Sequence, residues 1–202
     1  MQETSKKIPF EIHLTTKNLS NEQISDFESI CNDLKGKAIL IELSRGKVAK
    51  QPIFTKTLEL QTSQMALVNA KKYAAQFTNN NFPISRVKIE IPYQFVNKTQ
   101  ISKKNNQKTY FEWHGKIKPL EIKNLSQVCE KHAVHLSKNS LKGEENKKFL
   151  TMREYGTKEL FEQRLNKLKK NLMNSGGILY KEETEYCIYD SNVILDEGWL
   201  SE

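Results

Sequence analysis

FEIH at Phe10–His13 and FEWH at Phe111–His114 set phenylalanine, glutamate, an apolar residue and histidine in the same order, 101 positions apart. The surroundings repeat as well. After the first copy, Ser20 and Gln23 resemble a capping box, and Ile24, Phe27, Ile30, Cys31 and Leu34 recur at helical spacing, with Gly36 suited to the helix stop. KAILIEL then predicts a strand, SRGKVAKQ a basic turn and PIFTKTLEL a second strand. Leu67, Ala70, Tyr73, Ala74 and Phe77 form the stripe of a helix beginning near Ser63, and SRVKIEIP alternates once more.

From Tyr110 the same order returns. YFEWHGKIK is strand-like, and Leu125, Val128 and Cys129 share a helical face. AVHLSKN and KFLTMREY predict strands on either side of the polar turn SLKGEENK. A helix with Phe161, Leu165, Leu168 and Leu172 on one face follows, capped by Thr157 and ended by Gly176 and Gly177, and ILYKEETEYCIYD closes the unit. The first-helix cysteines, Cys31 and Cys129, lie 98 apart, close to the spacing of the histidines. The expectation is an α+β fold of two duplicated ferredoxin-like βαββαβ units with antiparallel sheets, related by a pseudo-twofold axis. Its boundaries are 8–92 for the first unit, 93–109 for a polar linker, 110–190 for the second unit and 191–202 for a tail. In this fold the first strand of a unit lies between the third and fourth.

Strand alternation then assigns faces. Phe10, Ile12 and Leu14 share the helix-facing side of the first strand; Glu11 and His13 take the other. Phe111, Trp113 and Ile117 oppose Glu112, His114 and Lys116 in the same way. Val87, Ile89 and Ile91 leave Arg86, Lys88 and Glu90 on the polar side, and Glu42 with Ser44 is expected there too. In the second unit His135 and Ser137 oppose Val134 and Leu136, whereas FLTMREY is apolar on both sides and assigns no face to Arg153.

The chain of 202 residues carries a net charge of +8, with a pI near 9.2 and a mean hydropathy of −0.66. That balance favours anionic partners, whether an anionic small molecule or a nucleic acid end. Three scattered cysteines without C-x-x-C spacing argue against a disulfide framework or structural zinc site. The start MQETSKKIPF has no signal-peptide core, and no apolar run approaches the roughly 20 residues of a membrane span. The expected location is cytoplasmic, with no membrane partner. The tail's Ile194, Leu195, Trp199 and Leu200 suggest a segment that folds back onto the protein.

No phosphate loop, dinucleotide fingerprint, zinc-protease or nucleophile-elbow motif is present in the sequence. HLT at His13–Thr15 and HLS at His135–Ser137 fit H-x-[ST], and the pair resembles the signature of the two-histidine phosphoesterases. That resemblance implies histidines acting as acid and base and hydroxyls holding the phosphate of an RNA end or cyclic nucleotide. The internal repeat, however, matches His13 to His114. EWHGK, with Glu112, His114 and Lys116, is similar to the E-x-E-x-K strand of triphosphate-tunnel enzymes, which implies acids on metal and lysine on phosphate. A histidine here replaces that strand's second acid.

These readings converge on a binder of a phosphate-bearing ligand, a nucleotide or RNA end. His13, His114, Glu11 and Glu112 are the candidate proton-moving groups, and Arg45, Lys47, Arg86, Lys88, Lys116 and His135 the candidate ligand contacts. Were the ligand turned over, the reaction would be phosphoester hydrolysis or transfer. The competing expectation is a non-catalytic interaction or regulatory module whose Glu-x-His faces pack lobe on lobe. Histidine and glutamate are also the right ligand types for a divalent metal, but no diagnostic spacing identifies one and no cofactor is assigned. The oligomeric state is not set by the sequence.

Overall fold

The computed structural model describes residues 6–43, 48–98, 109–119, 121–139, 141 and 147–198. The first half contains β1 (Ile8–Thr16), α1 (Gln23–Asp33), β2 (Lys37–Leu43), β3 (Lys50–Leu60), α2 (Ser63–Asn79) and β4 (Ile84–Pro92). The second contains β5 (Tyr110–Lys118), α3 (Ile122–Lys131), β6 (Val134–Asn139), β7 (Lys148–Glu154), α4 (Lys158–Asn174) and β8 (Ile178–Asp190). Short 3-10 turns follow each half, at Tyr93–Lys98 and Val193–Asp196. The order is βαββαβ twice in an α+β fold, which is the expected fold class. Among the described residues no helix is long and apolar enough to cross a membrane.

Two compact units divide the chain. Unit 1 takes Met1–Ile39, Gln51–Thr109 and Tyr186–Asn192; unit 2 takes Leu40–Lys50, Tyr110–Glu185 and Val193–Glu202. In unit 1, β1 pairs antiparallel with both β3 and β4, so the first strand is central as the fold class implied. In unit 2 the antiparallel pairs are β2 with β6, β6 with β7, and β7 with β5.

Phe10, Ile12 and Leu14 of β1 are fully buried against Phe27 and Cys31 of α1 and Ala66, Ala70 and Phe77 of α2. Rings tighten this core: Phe77 lies 5.7 Å from Phe27 and 5.1 Å from Phe54. Burial, with Glu28 nearby, pushes the Cys31 thiol up to about 12, so it behaves as an apolar core residue. In unit 2, Phe111 stacks on Phe161 of α4, with Leu165, Leu168 and Leu172 buried along the same helix. Trp113 is fully buried, and a Cβ added at Gly115 would fall 2.2 Å from its ring. Unit 1 has Ile12 and Leu14 where unit 2 has Trp113 and Gly115, so one large and one absent side chain replace two medium ones.

Helix ends follow local chemistry. Thr157 caps α4 by accepting from Leu160 N–H, and Thr62 caps α2 through Met65 N–H. Gly176, at φ 77°, takes the left-handed position after α4, and Gly177 N–H returns to Leu172 C=O. At α1, Gln23 accepts from Ser20 N–H, which is one half of the expected capping box; no side chain caps the helix N-terminus itself. Lys35, at φ 54°, makes the left-handed turn after α1, one residue before Gly36.

Candidate functional site

The polar faces of both units are largely buried. On β4, Arg86, Lys88 and Glu90 alternate with Val87, Ile89 and Ile91 as expected, yet all three polar residues are buried. An antiparallel sheet commonly leaves one face to water; here charge must be matched by charge.

In unit 1, β1 places Glu11 opposite Glu90 of β4 and Thr57 of β3, and His13 opposite Lys88 and Thr55. His13 Nε2 stands 2.9 Å from Glu90 Oε2 and 4.0 Å from Glu11 Oε1. Lys88 Nζ reaches the same Glu90 oxygen at 2.9 Å. Thr55 donates to Glu11 Oε1 at 2.7 Å. Two carboxylates facing each other across a strand pair repel, and the lysine and histidine between them offset that repulsion. Arg86 forms a two-pronged pair with Asp190, including Nε to Oδ1 at 2.9 Å.

In unit 2, β5 sets Glu112 opposite Arg153 and His114 opposite Thr151. His114 Nε2 lies 3.0 Å from Glu112 Oε1 and 3.7 Å from Glu185 Oε2, while Nδ1 lies 3.1 Å from Thr151 Oγ1. Arg153 joins the polar face, donating to Glu112 Oε2 and Asp196 Oδ2, each at 2.6 Å. Burial opposes its charge, but Glu112, Tyr110 and Asp196 push its pKa well above the ordinary value. The Tyr110 ring adds a face-on contact at 4.9 Å. Asp196 belongs to the tail, which therefore folds back onto Arg153; Trp199 and Leu200 lie outside the described residues.

The other sequence candidates scatter. His135 is buried in β6, opposite Thr151, so Thr151 has His114 on one side and His135 on the other. Lys116 lies over the Phe149 ring, 5.4 Å from its centre. Arg45 and Lys47 lie outside the described residues. Glu42 is a correction: register pairs it with Lys138, on the side of Leu136 and Val134, and Lys138 Nζ meets it at 2.7 Å. KAILIEL is apolar at both parities and could not fix that face.

Thr55, Thr151, Asp190 and Asp196 were not singled out in the sequence, and Glu185 was placed only on one face of KEETEY with Lys181 and Glu183. For the threonines a signal existed. IFT ends at Thr55 and FLT at Thr151, 96 apart, so carrying the repeat into the third strands finds both. For the acids no local signal exists, because strand register alone brings them to their partners.

No protein-family model matches the chain, and no curated protein matches it. Among solved structures, one described as "Putative Chlorite dismutase" is similar over 96% of this chain and 95% of that one, at 10% identity and a TM-score of 0.30. That likeness is too low to transfer a site, and the fold assignment rests on element order and strand register.

Proposed function

We propose that this protein binds a phosphate-bearing ligand, a nucleotide or RNA end, at its Glu-x-His strands, with His13 and His114 as the groups that meet it. One observation carries this reading. In each unit the motif histidine keeps partial exposure, 18% for His13 and 33% for His114, while the glutamate nearest its Nε2 is buried, 0% for Glu90 and 2% for Glu112. A buried carboxylate behind a partly exposed imidazole orients the ring, which can offer an N–H to a phosphate oxygen or move a proton.

Within this reading Arg86, Lys88 and Arg153 position the acids, since each is paired with a carboxylate. The chain's net positive charge supplies long-range attraction for an anion. Turnover, if present, would be phosphoester hydrolysis or transfer. A thermal-shift panel of phosphate, nucleotides, cyclic nucleotides and short RNA tests the proposal on the wild type, His13→Ala and His114→Ala. A ligand at 100 times its Kd should stabilise by about 2.7 kcal/mol. Stabilisation by this class that is lost in either variant is expected; a flat panel, or stabilisation untouched in both variants, overturns it.

A second reading, a non-catalytic module, draws on the burial of Glu90 and Glu112 and on the Arg153 pairs with Glu112 and Asp196. On that reading the polar contacts hold each unit's own strands together. Both histidine variants would then melt lower without any ligand response to lose.

A further inference from the structure

We propose that unit 2 carries a contact surface for single-stranded nucleic acid where the ends of β7 and α3 meet α4, with Tyr155 stacking on a base and Lys131, Lys167 and Lys170 taking the phosphates. The surface lies on the helix side of β5, where Phe111 stacks on Phe161 of α4. Glu112 and His114 take the opposite side of that strand. The surface is therefore separate from the Glu-x-His strands and does not depend on a ligand there.

Arg164 brings the parts together. From α4 its guanidinium donates to Arg153 C=O at 3.1 Å and to Glu154 Oε2 at 2.5 Å, both at the end of β7. It also donates to His132 C=O, just past α3, at 3.1 Å. One side chain thus gathers three segments. Tyr155 follows Glu154 directly, Lys131 precedes His132, and Lys167 is the i+3 neighbour of Arg164 on the helix surface. Asn171 Nδ2, 2.7 Å from His132 Nε2, ties α4 to α3 a second time.

The charge at this junction is unbalanced. From Gln163 to Asn174, α4 carries four cations and no acid. Arg164 is matched by Glu154, and Lys169 by Glu182. Lys131, Lys167 and Lys170 are exposed and have no ion pair among the described residues. The acids alongside are Glu154, engaged by Arg164, and Glu130, next to Lys131. The excess is felt at His132, where burial, followed by Lys131, Lys167 and Arg164, holds the pKa below its ordinary value. A phosphate placed among these groups relieves their mutual repulsion.

The exposed ring selects the kind of anion. Tyr155 is 51% exposed, and the fully buried Tyr110 lies behind it, 5.1 Å from centre to centre. Tyr110 is faced in turn by the Arg153 guanidinium at 4.9 Å. A ring backed in this way is held in place, so stacking a base on it costs little ordering. Leu160, also exposed, reaches over Gly156, where an added Cβ would fall 3.1 Å from its Cδ2. Acidic peptides and lipid headgroups bring charge without a flat ring, whereas unpaired bases bring both. From Thr157 to Lys170, α4 rises about 20 Å. Successive phosphates of one stacked strand are only about 3.4 Å apart, so the partner is a strand of several nucleotides and not a mononucleotide.

The probe is a closed, fluorescently labelled circle of oligodeoxythymidine, which has no end for the Glu-x-His strands to hold. Its binding to the full chain is read by anisotropy over a range of salt. Three phosphate contacts at about −0.7 each predict a log–log salt slope of about −2. Lys131→Ala, Lys167→Ala and Lys170→Ala should each reduce that slope by about 0.7. Tyr155→Ala should weaken binding about 5- to 150-fold with the slope unchanged, and Tyr155→Phe should keep it. The titration midpoint of His132, followed by NMR, should rise when the circle is bound. No binding, equal or tighter binding of a duplex, or Tyr155→Ala without effect overturns the surface. So does a His132 midpoint that stays put under saturating circle, or competition by polyglutamate or phosphatidylserine vesicles that equals competition by unlabelled circle. Circle binding untouched by His13→Ala and His114→Ala leaves this surface standing whatever the small ligands of the thermal panel show. Binding lost in those variants but kept in the triple lysine variant sinks it in favour of the Glu-x-His strands.

Discussion

Unit 1 sets a lysine of its fourth strand, Lys88, on the buried glutamate that faces its motif histidine, and unit 2 sets an arginine of its third strand, Arg153, on its own. Behind the same strand, unit 1 packs Ile12 and Leu14 where unit 2 packs Trp113 over Gly115. The two differences are of different kinds. The core pair keeps total volume nearly level, so helices of the same order can cover both sheets. The polar pair keeps the sign of each partner and changes the strand that supplies the cation, β4 in unit 1 and β7 in unit 2. A shared backbone plan is thus compatible with two ways of holding one buried carboxylate beside the motif histidine.

The largest break in this comparison is expected from Arg153→Ala. It leaves Glu112 and Asp196 buried without their guanidinium, and removing one partner of such a group costs about 3–5 kcal/mol. Urea denaturation should show the loss, and a change below 1 kcal/mol would mean the pairs contribute little. Next come the swapped core positions. Leu14→Ala in unit 1 should cost about 2–5 kcal/mol through a cavity. Gly115→Ala in unit 2 should cost about 1–3 kcal/mol through overpacking against Trp113. If both are neutral, the volume exchange between units is not what fits the strands to their helices. The helix caps should instead behave alike: Thr62→Ala and Thr157→Ala are each expected to cost about 1 kcal/mol. Unequal costs would show that one unit depends more on its second helix.

The smallest effect concerns pH. Burial, with Lys131, Lys167 and Arg164 nearby, lowers the pKa of His132, whose Nε2 is 2.7 Å from Asn171 Nδ2. The unfolded chain therefore takes up this proton more readily. The contribution is present above the unfolded value near 6.5 and is lost as pH falls through the lower folded value. By the cysteine spacing unit 1 has Leu34 at this point. His132→Leu should flatten the acid limb of the stability curve between about pH 7 and 5, and an unchanged limb would remove His132 from the account.

Much of the fold was legible in the sequence because it is written in local periodicity. The twelve main elements, the buried stripe of α4 and the central place of β1 follow from spacing, caps and the repeat. The partners on the polar faces were not legible. Arg86 finds Asp190 from 104 residues away, and Arg153 finds Glu112 across 41, through register alone. Arg153 had no assignable face because FLTMREY is apolar at both parities, and KAILIEL misdirected Glu42 for the same reason. The histidines were visible as motif members, but which cation holds the buried glutamate beside each of them was not.

Trp113 offers an optical consequence of its burial. Its indole N–H donates to Glu182 at 3.0 Å, and Lys169 of α4 meets the same carboxylate. The chain has two tryptophans, and unit 1 contains neither of them. With Trp199 replaced by phenylalanine, intrinsic emission becomes a label-free gauge of unit 2 alone. Its wavelength would move to the red when the α4 side of that sheet opens, while far-ultraviolet dichroism registers both units. Denaturation curves that superimpose by the two signals would mean the units melt as one, and curves that separate would give each unit its own midpoint without a single added dye.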